Sequence, residues 1–117
     1  MKKEIKPWQE ISRSCLAKTR VFDVLVKRMR SPDGSYEDDF YSLETYDWIN
    51  VIPITSDLEV VLVRQFRHGT REALLEVPGG IIDEKHGGSP EQAAKMELRE
   101  ETGRKAGSLT ELGWNHP

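Results

Sequence analysis

Apolar and β-branched residues gather in short runs up to residue 77, and turn-forming residues separate several of these runs. Such runs predict short strands joined by tight connections. The turns are expected at Ser31-Pro32-Asp33-Gly34 and Ser56-Asp57. Residues 60–63 are all apolar, so we expect their strand to be covered on both faces. The predicted extended segments are residues 11–16, 19–28, 40–45, 48–54, 59–66 and 73–77, with a last short strand near 109–112.

Residues 90–102 have the composition of an α-helix rather than a strand, since most of them are strong helix formers. Ser89 fits the N-cap and Pro90 fits the first helical position. Gln92 follows three residues after the cap, which predicts a capping box. Gly103 is placed to end the helix.

Three carboxylates share one face of this predicted helix. An α-helix advances about 100° per residue, so relative to Glu97 the side chain of Glu101 lies at about +40° and that of Glu100 at about −60°. Like charges on one face repel each other, whereas a hard divalent cation such as Mg²⁺ binds oxygen ligands. The cluster indicates a metal site. The alternative is a solvated acidic face whose charge is balanced by Lys95 and Arg99.

Glycines and arginines upstream of the helix strengthen the metal-site interpretation. Pro78-Gly79-Gly80 is expected to end a strand in a glycine turn, where backbone groups can approach a ligand closely. Arg64 and Arg67 lie in the segment Val-Arg-Gln-Phe-Arg, and guanidinium groups bind phosphate oxygens bidentately. The alternative for both arginines is surface charge on a strand. The arginines, the glycine turn and the carboxylate cluster together suit a site in which a cation bridges the carboxylates and a phosphate group.

Composition narrows the class of protein. The chain has 117 residues, which suits one domain. Its net charge is −3, from 17 basic and 20 acidic residues, and this argues against a dedicated nucleic-acid binder. Cys15 is the single cysteine, which excludes an internal disulfide framework and a cysteine-rich zinc site. No apolar run suits a membrane span or a signal peptide, so a cytoplasmic location is expected.

The segment from Gly79-Gly80 to Gly103, ending in Glu-Leu-Arg-Glu-Glu-Thr-Gly, resembles the signature box of the Nudix hydrolase family. The preceding Val-Arg-Gln-Phe-Arg and Leu-Leu-Glu-Val-Pro-Gly-Gly-Ile-Ile-Asp are similar to the ADP-ribose pyrophosphatase branch of that family. The resemblance extends over residues 48–112.

The resemblance implies a hydrolase that uses Mg²⁺ or Mn²⁺ to cleave the diphosphate bond of ADP-ribose or a related nucleoside diphosphate sugar. The products would be a nucleoside monophosphate and a sugar phosphate. By resemblance, the catalytic residues are Glu97, Glu100 and Glu101, the metal ligands are the same three glutamates and the Gly79 carbonyl, and the substrate-binding residues are Arg64, Arg67 and Gly80.

The implied fold is α+β, a Nudix-like α/β/α sandwich on a mixed β-sheet that is incomplete at its C-terminus. Residues 1–46 are expected to form an N-terminal antiparallel portion, and residues 47–117 a partial Nudix domain. Enzymes of the resembled branch often pair their N-terminal strands, so a homodimer is expected, with neither nucleic acid nor membrane as partner.

Two positions depart from the family pattern. Met96 stands where the box has an arginine that pairs with a box glutamate, and Gly88 stands where the box has its first glutamate. Glu84 or His86, in the lengthened loop after Gly80, are alternatives for the second gap, although His86 is otherwise expected to be a surface or loop histidine. The departures favour a catalytically impaired nucleotide-binding or regulatory module as an alternative function. A truncated fragment of a longer enzyme is a second alternative.

Overall fold

The computed structural model describes residues 4–116. The chain divides into two compact units between Tyr46 and Asp47, and each unit is described by itself below.

The first unit is a three-stranded antiparallel sheet in the order β1-β2-β3. The strands are β1 (Gln9–Lys18), β2 (Phe22–Arg30) and β3 (Glu37–Thr45), each reaching beyond at least one end of the segment predicted for it. The predicted turn after β2 is confirmed, because the Gly34 N–H donates to the Ser31 carbonyl at 2.9 Å. Gly34 has a φ of +74°, which glycine adopts without a steric penalty.

Strand β1 is exposed along its whole length and forms one edge of this sheet. Trp8, just before β1, makes edge-to-face contacts with Tyr36 and Phe40, with ring centroids 6.0 and 5.5 Å apart. Leu25, on the central strand, is the buried apolar side chain of this unit among residues 4–46.

The second unit contains two antiparallel pairs of strands. Strand β4 (Trp48–Asn50) pairs with β7 (Gly79–Ile81), and β5 (Val63–Arg67) pairs with β6 (Glu72–Glu76). The prediction of a glycine turn at Gly79-Gly80 is wrong, because both residues lie in β7. The predicted strand near residues 109–112 is absent from the described part of this unit.

The β5–β6 hairpin has two different faces. Gln65, Arg67 and Glu76 are half-buried on one face, whereas Phe66 and Leu75 are exposed on the other. The expectation that residues 59–66 are covered on both faces is therefore wrong. The four-residue connection is closed by the Arg71 N–H, which donates to the Arg67 carbonyl at 2.7 Å, and Arg71 itself has a φ of +61°.

Helix α1 (Pro90–Thr102) agrees with the predicted bounds. The Ser89 hydroxyl accepts a hydrogen bond from the Gln92 N–H at 3.3 Å, and Gly103 ends the helix with a φ of +72°. The second half of the predicted capping box is replaced, because the Ser89 N–H donates to the His86 carbonyl at 3.0 Å. His86 belongs to a single turn of 3-10 helix, Glu84–His86, that was not predicted.

Helix α1 packs against β4 and β7. Its buried side chains are Ala93, Ala94 and Leu98, and Pro78 before β7 is fully buried. Lys95 and Arg99, on the outer face of the helix, are exposed as predicted.

The α+β class is confirmed, and all strand pairs between residues 4 and 116 are antiparallel. Across the same described range, no helix combines the length and the apolar character that crossing a membrane requires.

Candidate active site

The Glu101 carboxylate is held through both of its oxygens. The Gln65 side-chain amide donates to Oε1 at 2.8 Å, and the Gly79 backbone N–H donates to Oε2 at 3.1 Å. The two donors come from different strands, β5 and β7, while Glu101 lies in the last turn of α1. The carboxylate is therefore fixed against both strands and cannot rotate without losing a hydrogen bond.

The pairing of β7 with β4 explains why the Gly79 N–H is available to Glu101. The Val51 N–H donates to the Pro78 carbonyl at 2.8 Å, and the Ile82 N–H donates to the Asp47 carbonyl at 2.7 Å. In an antiparallel ladder, residues that bond to the partner strand alternate with residues that do not. Gly79 is one of the latter, so both its N–H and its carbonyl point away from β4, on the side of α1.

Gly80 provides the space for the Glu97 carboxylate. A Cβ atom at position 80 would overlap with the carboxylate carbon and both oxygens of Glu97. Burial raises the pKa of Glu97 above its usual value of 4.5, and the neighbouring charges of Glu100 and Glu101 raise it further. The three carboxylates are therefore close enough to repel one another, as the helical spacing predicts.

The oxygen ligands of the three glutamates suit a divalent cation, but the side chains do not converge on one common position. Carboxylate oxygens with a shared excess of negative charge are the ligands that Mg²⁺ takes in proteins. Glu100 is exposed and Glu97 and Glu101 are half-buried. Between residues 4 and 116, no three His, Cys, Asp or Glu side chains have the spacing of a formed metal site. An ion would have to draw the glutamates together.

The two arginines predicted to bind substrate lie on opposite faces of the β5–β6 hairpin. Arg67 shares the half-buried face with Gln65 and forms a bidentate ion pair with Glu76, in which its Nε lies 2.8 and 3.1 Å from the two carboxylate oxygens. This pairing raises the pKa of Arg67, and the charge of Glu101 adds to the effect. Arg64 is on the exposed face. The structure brings only Arg67 to the side of the carboxylates.

Sequence reasoning missed Gln65 and misplaced His86. Strand alternation within Val-Arg-Gln-Phe-Arg puts Gln65 on the same face as Arg67, a signal that was available in the sequence. His86 lies in the connection between β7 and α1 but is only 4% exposed, so the surface part of the expectation is wrong. Its Nδ1 accepts from the Asp83 N–H at 3.3 Å and lies 3.1 Å from the Asp83 carboxylate. A positive charge on His86 would lower the pKa of Glu97, so His86 lies near that glutamate.

A family model described as the NUDIX domain matches residues 47–117, which are the second unit and more than half of the chain. The chain belongs to the Nudix family. The prediction from the box residues is thereby confirmed.

Relatives within the family agree in their names. The chain is 34% identical over 64 residues to an ADP-ribose pyrophosphatase of Bacillus subtilis (strain 168), covering 55% of this chain and 34% of the relative. It is 48% identical over 63 residues to an ADP-sugar pyrophosphatase of Mus musculus, covering 50% of this chain and 28% of the relative. The chain thus spans about a third or less of these curated relatives' length.

A solved structure supports the same branch. The crystal structure of an ADP compounds hydrolase matches with a TM-score of 0.78 and 26% sequence identity, and the match covers 92% of this chain and 57% of that one. The Nudix-like fold predicted from the sequence is confirmed by this likeness.

Proposed function

We propose that this chain carries the carboxylate site of a divalent-metal-dependent hydrolase that cleaves the diphosphate bond of ADP-ribose or a related nucleoside diphosphate sugar. The observation that carries the proposal is the grouping of Glu97, Glu100 and Glu101 on the face of α1 beside Gly79 and Gly80. The names of the relatives, an ADP-ribose and an ADP-sugar pyrophosphatase, support the substrate class.

The residues that would hold Mg²⁺ or Mn²⁺ are the three glutamates, with the Gly79 carbonyl as a further oxygen ligand. A bound divalent cation supplies charge stabilisation for the diphosphate and lowers the pKa of water, as metal sites of this kind do. The chain's own contribution is positional. Glu101 is fixed by two hydrogen bonds, Glu97 lies against Gly80, and Glu100 is open to solvent.

The side chains of the site have different proposed roles. One of the three glutamates is proposed to orient or deprotonate the attacking water. Arg67 is proposed to contact a substrate phosphate from the same side of the hairpin. Gly80 also remains a proposed substrate-binding residue, although the Glu97 carboxylate lies against it. Arg64 remains a proposed phosphate contact, but its position on the exposed face of the hairpin argues against that role.

The test is to incubate the chain with ADP-ribose and Mg²⁺ or Mn²⁺ and to measure hydrolysis by the AMP released. We expect Glu100→Gln and Glu101→Gln each to lower kcat by at least about 100-fold, because each removes a charged ligand from the site. Lys95→Gln, on the exposed side of α1, is the matched control and should retain full activity. Equal turnover by the two glutamate variants and the unaltered chain would remove the proposed roles.

A second candidate function is nucleotide binding without turnover. It is favoured by the lack of three convergent ligands within residues 4–116 and by Met96, which has no hydrogen-bond donor for a glutamate. In that case ADP-ribose would bind, as measured by calorimetry, but no AMP would form with either cation. Met96→Arg restores the residue type of the family pattern, and it should raise turnover if the loss of that arginine limits activity.

A homodimer in the cytoplasm, with no nucleic acid or membrane as partner, completes the proposal. An edge strand with free N–H and carbonyl groups can pair with a second copy, and β1 is such a strand, exposed over all ten residues. Light scattering of the purified chain tests the homodimer.

A further inference from the structure

We propose that Gln65 is a positioning residue that fixes the orientation of Glu101 for cation binding. The inference rests on the proposed function in one respect, namely that Glu101 is a metal ligand. The first observation is the 2.8 Å hydrogen bond from the Gln65 amide to Glu101 Oε1. The second is the hydrogen bond from the Gly79 N–H to Oε2 at 3.1 Å. With one donor on each oxygen, the carboxylate cannot turn without losing a hydrogen bond.

Both donors to Glu101 come from outside its own helix. Met96 has no hydrogen-bond donor, and Lys95 pairs with Glu91 on the exposed side of α1. Gln65 lies within β5, where the pairing of Gln65 with Leu74 across the hairpin fixes its backbone. A strand residue is a more rigid support than a loop residue, so the amide reaches Glu101 from a well-defined position.

The neutrality of the amide matters as much as its position. An arginine at this place would neutralise the charge of Glu101, whereas a glutamine amide orients the carboxylate and leaves its full negative charge for a cation. The arginine on the same face of the hairpin, Arg67, forms its bidentate pair with Glu76 and not with Glu101. The hairpin therefore gives Glu101 a donor without a competing positive charge in direct contact.

The experiment measures Mn²⁺ binding to the whole chain without substrate, by the electron paramagnetic resonance signal of free Mn²⁺. Removing a partner that orients a metal ligand costs about 10- to 100-fold in metal affinity. We expect Gln65→Leu to raise the Kd for Mn²⁺ by at least about 10-fold. Gln65→Met keeps the length of the side chain without its donor, and should behave in the same way if Gln65→Leu folds poorly. The matched control is Gln92→Leu on the exposed face of α1, for which the Kd should be unchanged.

A double-mutant cycle separates positioning from a merely structural role. In a Glu101→Ala background, Gln65→Leu should change the Mn²⁺ affinity by less than about 2-fold, because the interaction partner is already gone. An equal loss in both backgrounds overturns the inference, and so does an unaltered chain that binds no Mn²⁺. If Mn²⁺ binds and depends on Gln65 but ADP-ribose is not hydrolysed, the proposed function fails and the inference stands.

Discussion

Replacing the two adjacent glycines of β7 by alanine, one at a time, should produce two different defects. Gly80→Ala should lower the rate of hydrolysis, whereas Gly79→Ala should lower the stability of the fold. At position 80 the added methyl group meets the end of the Glu97 side chain, which is flexible and can move away. At position 79 it meets the Ile49 backbone carbonyl at 2.5 Å and the Asn50 side chain at 2.8 Å. A backbone carbonyl in a paired strand cannot move without disturbing the ladder between β4 and β7.

The magnitudes follow from these contacts. Ordinary van der Waals separation is about 3.5 Å, so the Glu97 carboxylate has to move by about 1 Å in Gly80→Ala. A displacement of about 1 Å at a reacting centre can reduce the rate about 100-fold. The free energy of unfolding should change by less than about 1 kcal/mol, since alanine also restricts the unfolded chain. Gly79→Ala should instead lower the free energy of unfolding by about 1–3 kcal/mol, as overpacking does.

The assay pairs urea denaturation with ADP-ribose hydrolysis on the same samples. Gly107→Ala is the control, because nothing lies within 4 Å of its added Cβ and its φ is not in the left-handed region. The reasoning is refuted if Gly80→Ala keeps full kcat/KM, or if Gly79→Ala is as stable as the control.

Three further predictions concern stability. Ser89→Ala should lower the free energy of unfolding by about 1 kcal/mol, because it removes the N-cap acceptor of α1, and urea denaturation beside a Ser56→Ala control measures this. Arg67→Ala should lower the free energy of unfolding only slightly, because its pair with Glu76 is partly exposed and screened by solvent; a strong coupling between Arg67→Ala and Glu76→Ala in a double-mutant cycle would contradict this. The raised pKa of Glu97 means that the folded state holds its proton more tightly than the unfolded state does. Its contribution to stability is therefore fully present below the unfolded pKa near 4.5 and is lost as pH rises through the higher folded pKa. In EDTA, Glu97→Gln should be more stable than the unaltered chain at pH 7, and the difference should vanish near pH 4; a constant difference across this range would argue against burial as the cause.

The helix could be predicted closely from the sequence, whereas the strands around it could not. Ser89, Pro90 and Gly103 are local signals, and each acts within one turn of the helix end. The bounds of β4 depend instead on its pairing with β7, a strand distant in sequence. The apolar run Val60–Val63 suggested a long covered strand, yet Val60 and Leu62 are 50% and 46% exposed and the strand begins only at Val63.

The same distinction applies to the candidate site. Helical periodicity was sufficient to bring Glu97, Glu100 and Glu101 together, because all three belong to one element. The contacts of Gly79 and Gln65 with Glu101 join residues 22 and 36 positions apart, and no local pattern specifies them. Two adjacent glycines usually indicate a turn, and only the tertiary structure shows that Gly79 and Gly80 lie in a strand in which Gly80 leaves room for the Glu97 carboxylate.

The short connection between β5 and β6 also limits how this region can change by insertion or deletion. Side chains on a strand alternate between faces, so a shift of one residue in the pairing would exchange Gln65 and Arg67 for Arg64 and Phe66. A benzyl group would then point at the acidic helix, and an amide would point into water. Length changes of one residue between positions 68 and 71 should therefore be selected against far more strongly than substitutions there.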